Sequence, residues 1–151
     1  MKKPVIYLIF ICIVVGLGLL SGLNNLPGEW YRALNKPSFN PPNWIFGPVW
    51  TTLYVLIGIA GARLWMLDRH GWAMKLWFLS LVLNLLWSPA FFGQESAALG
   101  LAVIIPLLLS IYAYIPAAWK SDRAASILFW PYALWVSFAT VLNFSIFLLN
   151  R

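Results

Sequence analysis

Asn84 is the polar group around which any chemistry in this chain has to be built. It lies in Leu83-Asn84-Leu85-Leu86-Trp87-Ser88-Pro89-Ala90-Phe91, where Asn84, Trp87, Ser88 and Phe91 recur at helical spacing and share one face. An amide in hydrocarbon needs partners, so this face is expected to point into protein rather than lipid. Two roles fit it, a hydrogen bond that glues helices and a contact to a ligand, and they do not exclude each other. A second stripe runs through Phe46, Trp50 and Tyr54, and a third through Trp135, Phe138, Ala139, Leu142 and Asn143. One aromatic stripe is more often packing than a site. Three of them on separate segments, each beside a small or polar residue, point to an aromatic-walled cavity. No nucleophile–base–acid set and no metal-ligating cluster accompanies them, so the expected chemistry is recognition, with no catalytic residue and no metal. The single histidine, His70, falls in the turn Asp68-Arg69-His70-Gly71 and reads as a solvated turn residue, while the single cysteine, Cys12, reads as a small hydrophobe in the middle of an apolar run.

The elements that must hold these stripes follow from composition. The chain is 62% hydrophobic and 9% charged, with ten Trp in 151 residues, more apolar surface than a soluble domain could bury. Its charged residues are clustered, leaving uncharged runs at Pro4–Gly28, Pro37–Ala62, Leu76–Gln94, Ser96–Trp119 and Ala124–Asn150. A helix needs about 20 residues to cross a bilayer, so each run suffices. The expectation is an all-α integral membrane protein, one domain over residues 1–151 built as a bundle of five transmembrane helices, with spans near 4–23, 44–65, 74–93, 97–118 and 125–148. The N-terminal Lys2-Lys3 and apolar run resemble a signal peptide, but the run is too long and lacks a small-residue cleavage site, so it is read as the first span. Within it Gly18 and Gly22 form a small-xxx-small pair suited to close helix approach. Pro89 is expected to kink the third span, freeing a carbonyl near Ala90 and Phe91.

Five spans put the termini on opposite sides. One end then collects Lys2, Lys3, Arg63, Arg69, Lys75, Lys120 and Arg123, the other only Arg32, Lys36 and Arg151. The positive-inside rule makes the first end, with the N-terminus, cytoplasmic and places loop 24–43 and the C-terminus opposite. The net charge of +6 therefore reads as topology, and no nucleic-acid partner is implied. Loop 24–43 carries a short helix around Pro27–Leu34, with Asn25 as a candidate cap, Asn35 as its stop, and Trp30 and Tyr31 suited to the membrane interface. The stretch Lys36-Pro37-Ser38-Phe39-Asn40-Pro41-Pro42 is too proline-rich for helix and must run extended. A long, partly ordered loop suggests a lid.

Cavity and loop together select a ligand class. The wall residues Trp50, Tyr54, Asn84, Trp87, Phe91, Trp135, Phe138 and Ala139 are mostly apolar and aromatic, and the rim of Trp30, Tyr31, Arg32, Lys36, Pro41 and Pro42 adds two cations. A large flat hydrophobic ligand with an acidic edge fits both, and a porphyrin is such a molecule. No His or Cys is placed to ligate a haem iron, which favours a metal-free or weakly coordinated tetrapyrrole, bound as ligand rather than required as cofactor. An ion-coupled transporter would keep a carboxylate, Lys or Arg within the membrane, and none is read in the five spans.

The motifs Asn35-Lys36-Pro37-Ser38-Phe39-Asn40-Pro41-Pro42, Trp50-Thr51-Thr52-Leu53-Tyr54, Asn84-Leu85-Leu86-Trp87-Ser88-Pro89, Pro131-Tyr132-Ala133-Leu134-Trp135 and Ala139-Thr140-Val141-Leu142-Asn143 resemble the translocator protein, or tryptophan-rich sensory protein (TspO/MBR), family in its bacterial form. The resemblance covers essentially the whole chain. It implies a five-helix bundle in the bacterial inner membrane, commonly a homodimer, that binds protoporphyrin IX-like porphyrins and serves as a receptor or sensor regulating tetrapyrrole handling. Porphyrin or sterol transport and light-dependent porphyrin degradation are the alternatives it carries. Matched residue by residue, Trp50, Asn84, Trp135 and Ala139 fall on positions that line the family's cavity. The chain departs at its end: Phe144 stands where the sterol-recognition pattern of animal members has Tyr, so that pattern is broken.

Overall fold

A computed structural model describes all 151 residues, with seven α-helices and no strand. They are α1 (Lys3–Leu23), α2 (Glu29–Ala33), α3 (Asn43–Asp68), α4 (Trp72–Ser88), α5 (Ala97–Ser121), α6 (Arg123–Ile127) and α7 (Trp130–Leu149), with a π-helical turn, Pro89–Gly93, extending α4. Taking α4 with its π turn and α6 with α7 gives five segments long and apolar enough to cross a membrane.

The breaks have local causes. Pro89 cannot donate to the carbonyl of Leu85, and the ladder widens to Gln94 N–H on Pro89 O (2.9 Å) and Ser96 N–H on Phe91 O (3.0 Å). The carbonyl freed is therefore Leu85 O, one turn before the position expected from the sequence, because proline orphans the residue four back. Ser21 Oγ on α1 donates to it at 2.9 Å. The last membrane segment is not one helix: the α-helical ladder lapses at Leu128 and Phe129, just before Pro131, and resumes as α7. Asp122 caps α6 by accepting from Ala125 N–H at 3.3 Å, and Ser96 caps α5 by accepting from Leu99 N–H at 3.1 Å. Asn25 does not cap α2. Its amide donates instead to Ser21 O at 2.8 Å, and Gly28 stands at the helix start.

The bundle is solid at one end and hollow at the other. In the solid half Trp77 lies under Gly61, where an added Cβ would stand 2.4 Å from the indole, and donates from Nε1 to Ile57 O at 2.9 Å. Tyr114 stacks on Phe129 with ring centres 3.8 Å apart and donates to Ala125 O at 2.9 Å. Arg63 donates from Nε and Nη2 to Asp122 at 2.5 and 3.1 Å and reaches Tyr7 Oη at 3.4 Å, tying α1, α3 and the α5–α6 corner together. This corrects the reading that the spans hold no charge, since Arg63 sits inside α3. The reason is length: 26 residues rise about 39 Å, more than the roughly 30 Å hydrocarbon core, so the last turns reach the headgroup layer. At the same end Arg69, Lys75 and Arg123 lie over the rings of Trp65, Trp72 and Trp119.

Backbones approach closely between α1 and α3, α4 and α5, and α5 and α7. By contrast α3 and α7 meet through rings, Phe46 against Trp135 (5.8 Å) and Trp50 against Tyr132 (6.4 Å). Side chains bridging a gap between backbones leave room beside them, and the hollow half lies there.

Candidate functional site

The hollow is a cavity of about 560 Å³ between α1, α3, α4, α5 and α7, covered at its outer end by the loop that carries α2. Seventeen of its 28 lining residues are hydrophobic and Arg32 is its only charged side chain, so its chemistry is apolar with a single cation at the mouth.

Each wall comes from one stripe. From α3, Phe46, Trp50 and Tyr54 all line the cavity, with the Trp50 and Tyr54 rings 5.6 Å apart. From α4 and its π turn come Asn84, Trp87, Ser88 and Phe91, and Trp87 stacks on Phe91 at 5.0 Å with 21° between the planes. The π turn has a role here, since widening the ladder by one residue re-aims Phe91 and Phe92 beneath the loop. From α7, Trp135, Ala139, Leu142 and Asn143 face the cavity. Phe138, expected with them, does not. It lies half-buried beside the cavity, packed on Phe39 of the loop at 6.1 Å and on Trp135 at 5.6 Å.

Asn84 is both glue and wall. Its Nδ2 donates to Tyr132 Oη at 2.7 Å, and its Oδ1 accepts from Tyr54 Oη at 3.4 Å, so one amide joins α3, α4 and α7 while lining the cavity. Asn143 does the same one level outward, accepting from Trp87 Nε1 at 3.0 Å and donating to Ala97 O at 3.0 Å. Neither Tyr132 nor Asn143 stood among the expected site residues. Asn143 lay on the α7 stripe, an available signal, whereas nothing local marks Tyr132 as the partner of a residue 48 positions earlier. Trp135 Nε1 is buried without an acceptor, which leaves a donor in the wall.

The loop is docked rather than loose. Trp30 and Tyr31 were expected at the membrane interface, but Tyr31 is buried and meets Phe91 and Phe92 edge-on at 6.2 and 5.3 Å, while Trp30 meets Phe91 at 5.5 Å. The aromatic floor supplied by the π turn draws both inward. Burial raises the Tyr31 hydroxyl above the ordinary phenol value, so it is neutral at physiological pH. Asn35 and Asn150 form a reciprocal pair, the side chain of Asn150 accepting from Asn35 N–H (2.9 Å) and donating to Asn35 O (2.8 Å), which staples the loop to the end of α7. Lys36 does not reach the cavity. Its ammonium lies 4.5 Å over the Tyr31 ring and donates to Leu34 O at 3.3 Å. With Tyr31, Arg32, Asn40, Pro41 and Pro42 it lines a shallow polar depression beside the cavity mouth. Of the two cations, Arg32 alone touches both spaces.

The sequence of this chain matches the TspO/MBR family over residues 8–149. It is 42% identical to the tryptophan-rich sensory protein of Cereibacter sphaeroides over 82% of this chain and 78% of that one. It is 40% identical to protein CrtK of Rhodobacter capsulatus over 82% and 80% respectively. With the human translocator protein it shares 36% identity over 86% of this chain and 82% of the human protein.

Proposed function

The chain belongs to the TspO/MBR family of integral membrane proteins, and from that premise we propose that its cavity is the receptor site for a porphyrin-like tetrapyrrole, bound to regulate tetrapyrrole handling. The observation that supports this most is the pairing of ring walls from three helices with one guanidinium at the mouth. Flat π-systems gain from stacked and edge-on contacts with Trp, Tyr and Phe, and Trp50, Trp87, Phe91 and Trp135 present such faces around one space. A carboxylate at the ligand's edge would meet Arg32 in a forked, charge-assisted pair. The volume lies within the roughly 300–1,000 Å³ usual for sites that enclose drug-sized ligands.

Titrating protoporphyrin IX and its dimethyl ester into the protein in liposomes, followed by tryptophan quenching, tests the proposal. Arg32→Gln should weaken the acid by about 0.5–2 kcal/mol, as expected for a partly solvated ion pair, and leave the ester nearly unchanged. Lys36→Gln should alter neither by much, since its ammonium is held on Tyr31 and the loop carbonyls. Equal loss for acid and ester in Arg32→Gln would remove the carboxylate from the mouth, and no saturable binding of either would remove the porphyrin.

A further inference from the structure

Between α1 and α3 the cavity wall at the loop end of the bundle is built from glycines and exposed side chains. Three glycine-lined levels measure how α1 and α3 diverge along their length. In the solid half they touch: a Cβ added to Gly58 would stand 2.7 Å from Ile11 Cα, backbone against backbone. Midway the Tyr54 ring fills the space, 2.3 Å from a Cβ at Gly18. At the outer level nothing lies within 4 Å of a Cβ built on either Gly22 or Gly47. Leu19 and Leu23 on α1 and Gly47 and Thr51 on α3 line the cavity and are exposed. With the empty space at Gly22 and Gly47, they form the thinnest part of the cavity wall. From Asn43 to Thr51 the gap runs eight residues down α3, about 12 Å, which is deeper than the headgroup layer and reaches hydrocarbon.

The aqueous end is better sealed than this part of the wall. Trp30 and Tyr31 pack on the rings of the π turn, and Asn35 is stapled to Asn150. Opening it would expose apolar ring faces and break two amide hydrogen bonds. At the α1–α3 gap no hydrogen bond and no ring contact has to be broken.

We infer that the α1–α3 gap between Gly22 and Gly47 is a lateral portal through which a hydrophobic ligand enters the cavity from the bilayer, rather than from water past the loop. The absence of side chains at Gly22 and Gly47 is what keeps it open. The Thr51 hydroxyl is turned back on Gly47 O at 2.8 Å, so its donor is satisfied within α3.

The test measures access directly and uses no porphyrin, so failure of the porphyrin reading does not affect it. In a Cys12→Ser background, Ala139→Cys places a thiol on the α7 wall of the cavity. The protein in liposomes is labelled with a long-chain alkyl maleimide dissolved in the membrane, or with a sulfonated maleimide added from water. The alkyl reagent should label faster. Adding Gly47→Trp should slow it about tenfold, a barrier raised by about 1.4 kcal/mol, without slowing the charged reagent. Asn150→Ala, which unstaples the loop, should speed only the charged reagent. Thr51→Trp and Gly22→Trp plug the same gap from other positions and serve if Gly47→Trp does not fold. A folded plug variant labelled by the alkyl reagent at the unplugged rate overturns the portal, as does an alkyl rate that responds to Asn150→Ala instead.

Discussion

Removing the Asn84 amide should cost stability in a way that reveals what the amide holds. Asn84→Leu keeps the branched outline of the side chain and improves helix propensity, but deletes a 2.7 Å bond to a Tyr132 hydroxyl with no solvent exposure and a 3.4 Å bond from Tyr54. Interhelical hydrogen bonds in membrane proteins contribute about 0.6 kcal/mol on average and up to about 1.7, and a polar group stranded in a dry core costs about 1–3 kcal/mol. Tyr132 is the group stranded here, so the expected loss for Asn84→Leu is about 1–3 kcal/mol. Tyr132→Phe strands only an amide N–H that borders the cavity, and about 0.5–1.5 kcal/mol is expected. Tyr54→Phe removes a bond at the limit of hydrogen-bonding length and should cost less than about 0.5 kcal/mol. Reversible unfolding in mixed micelles, with a double-mutant cycle over Asn84→Leu and Tyr132→Phe, checks both the order and the coupling. The coupling should be about 1 kcal/mol. A cycle that closes to within roughly 0.3 kcal/mol of additivity, or a Tyr54→Phe loss that exceeds the Tyr132→Phe loss, would refute the idea that this amide ties α4 to α7.

The two ends of the α1–α3 contact should respond in opposite directions to one methyl group: Gly58→Ala drives a Cβ into Ile11 backbone and should destabilise by about 1–3 kcal/mol, whereas Gly47→Ala meets nothing and gains up to about 1 kcal/mol of helix propensity. Thermal melts of the two variants separate them, and equal shifts would contradict the splay. Asp122 is held below the usual carboxylate range chiefly by its hydrogen bond from Arg63. Its folded value is depressed, so its stabilisation is complete above the unfolded carboxylate range, near pH 4, and is lost as pH falls through the lower folded value. Melting temperature should therefore drop on acidification below about pH 4, and Asp122→Asn, which can still cap α6, should flatten that part of the profile. Trp135→Leu should weaken protoporphyrin binding by about 1–3 kcal/mol if a ring face is lost from the wall, by analogy with aromatic stacking on nucleobases. An unchanged dissociation constant in a folded variant would assign Trp135 to packing with Phe46.

How far the sequence reaches depends on whether a property is local. Crossing a bilayer requires about 20 uncharged residues whose backbone bonds close within the segment, so five spans are written into the spacing of the charges. Helical periodicity is local as well. It put Phe46, Trp50 and Tyr54 on one face, and Asn84, Trp87, Ser88 and Phe91 on another, and both faces line one cavity. Periodicity fixes a face but not its bearing toward neighbouring helices, and everything that needed the bearing was settled by packing. Phe138 sits on the right helix and packs beside the cavity rather than lining it. The ring of Tyr31 captures Lys36 where the chain leaves α2, and the proline stretch that follows, expected to run extended throughout, turns at Ser38–Phe39, with Asn40 N–H donating to Pro37 O at 3.1 Å. Arg63 is legible as a charge near the end of a run, but its partner Asp122 lies 59 residues on and only the corner between α5 and α6 brings it there. The carbonyl orphaned by Pro89 was predictable by rule, while its donor, Ser21 on α1, was not. Sequence alone thus determined the number of membrane-spanning segments and the chemistry of their faces. Only the tertiary structure decided which end of the bundle is filled by Trp77, Tyr114 and Phe129 and which is left hollow, because filling depends on how far apart the helices stand.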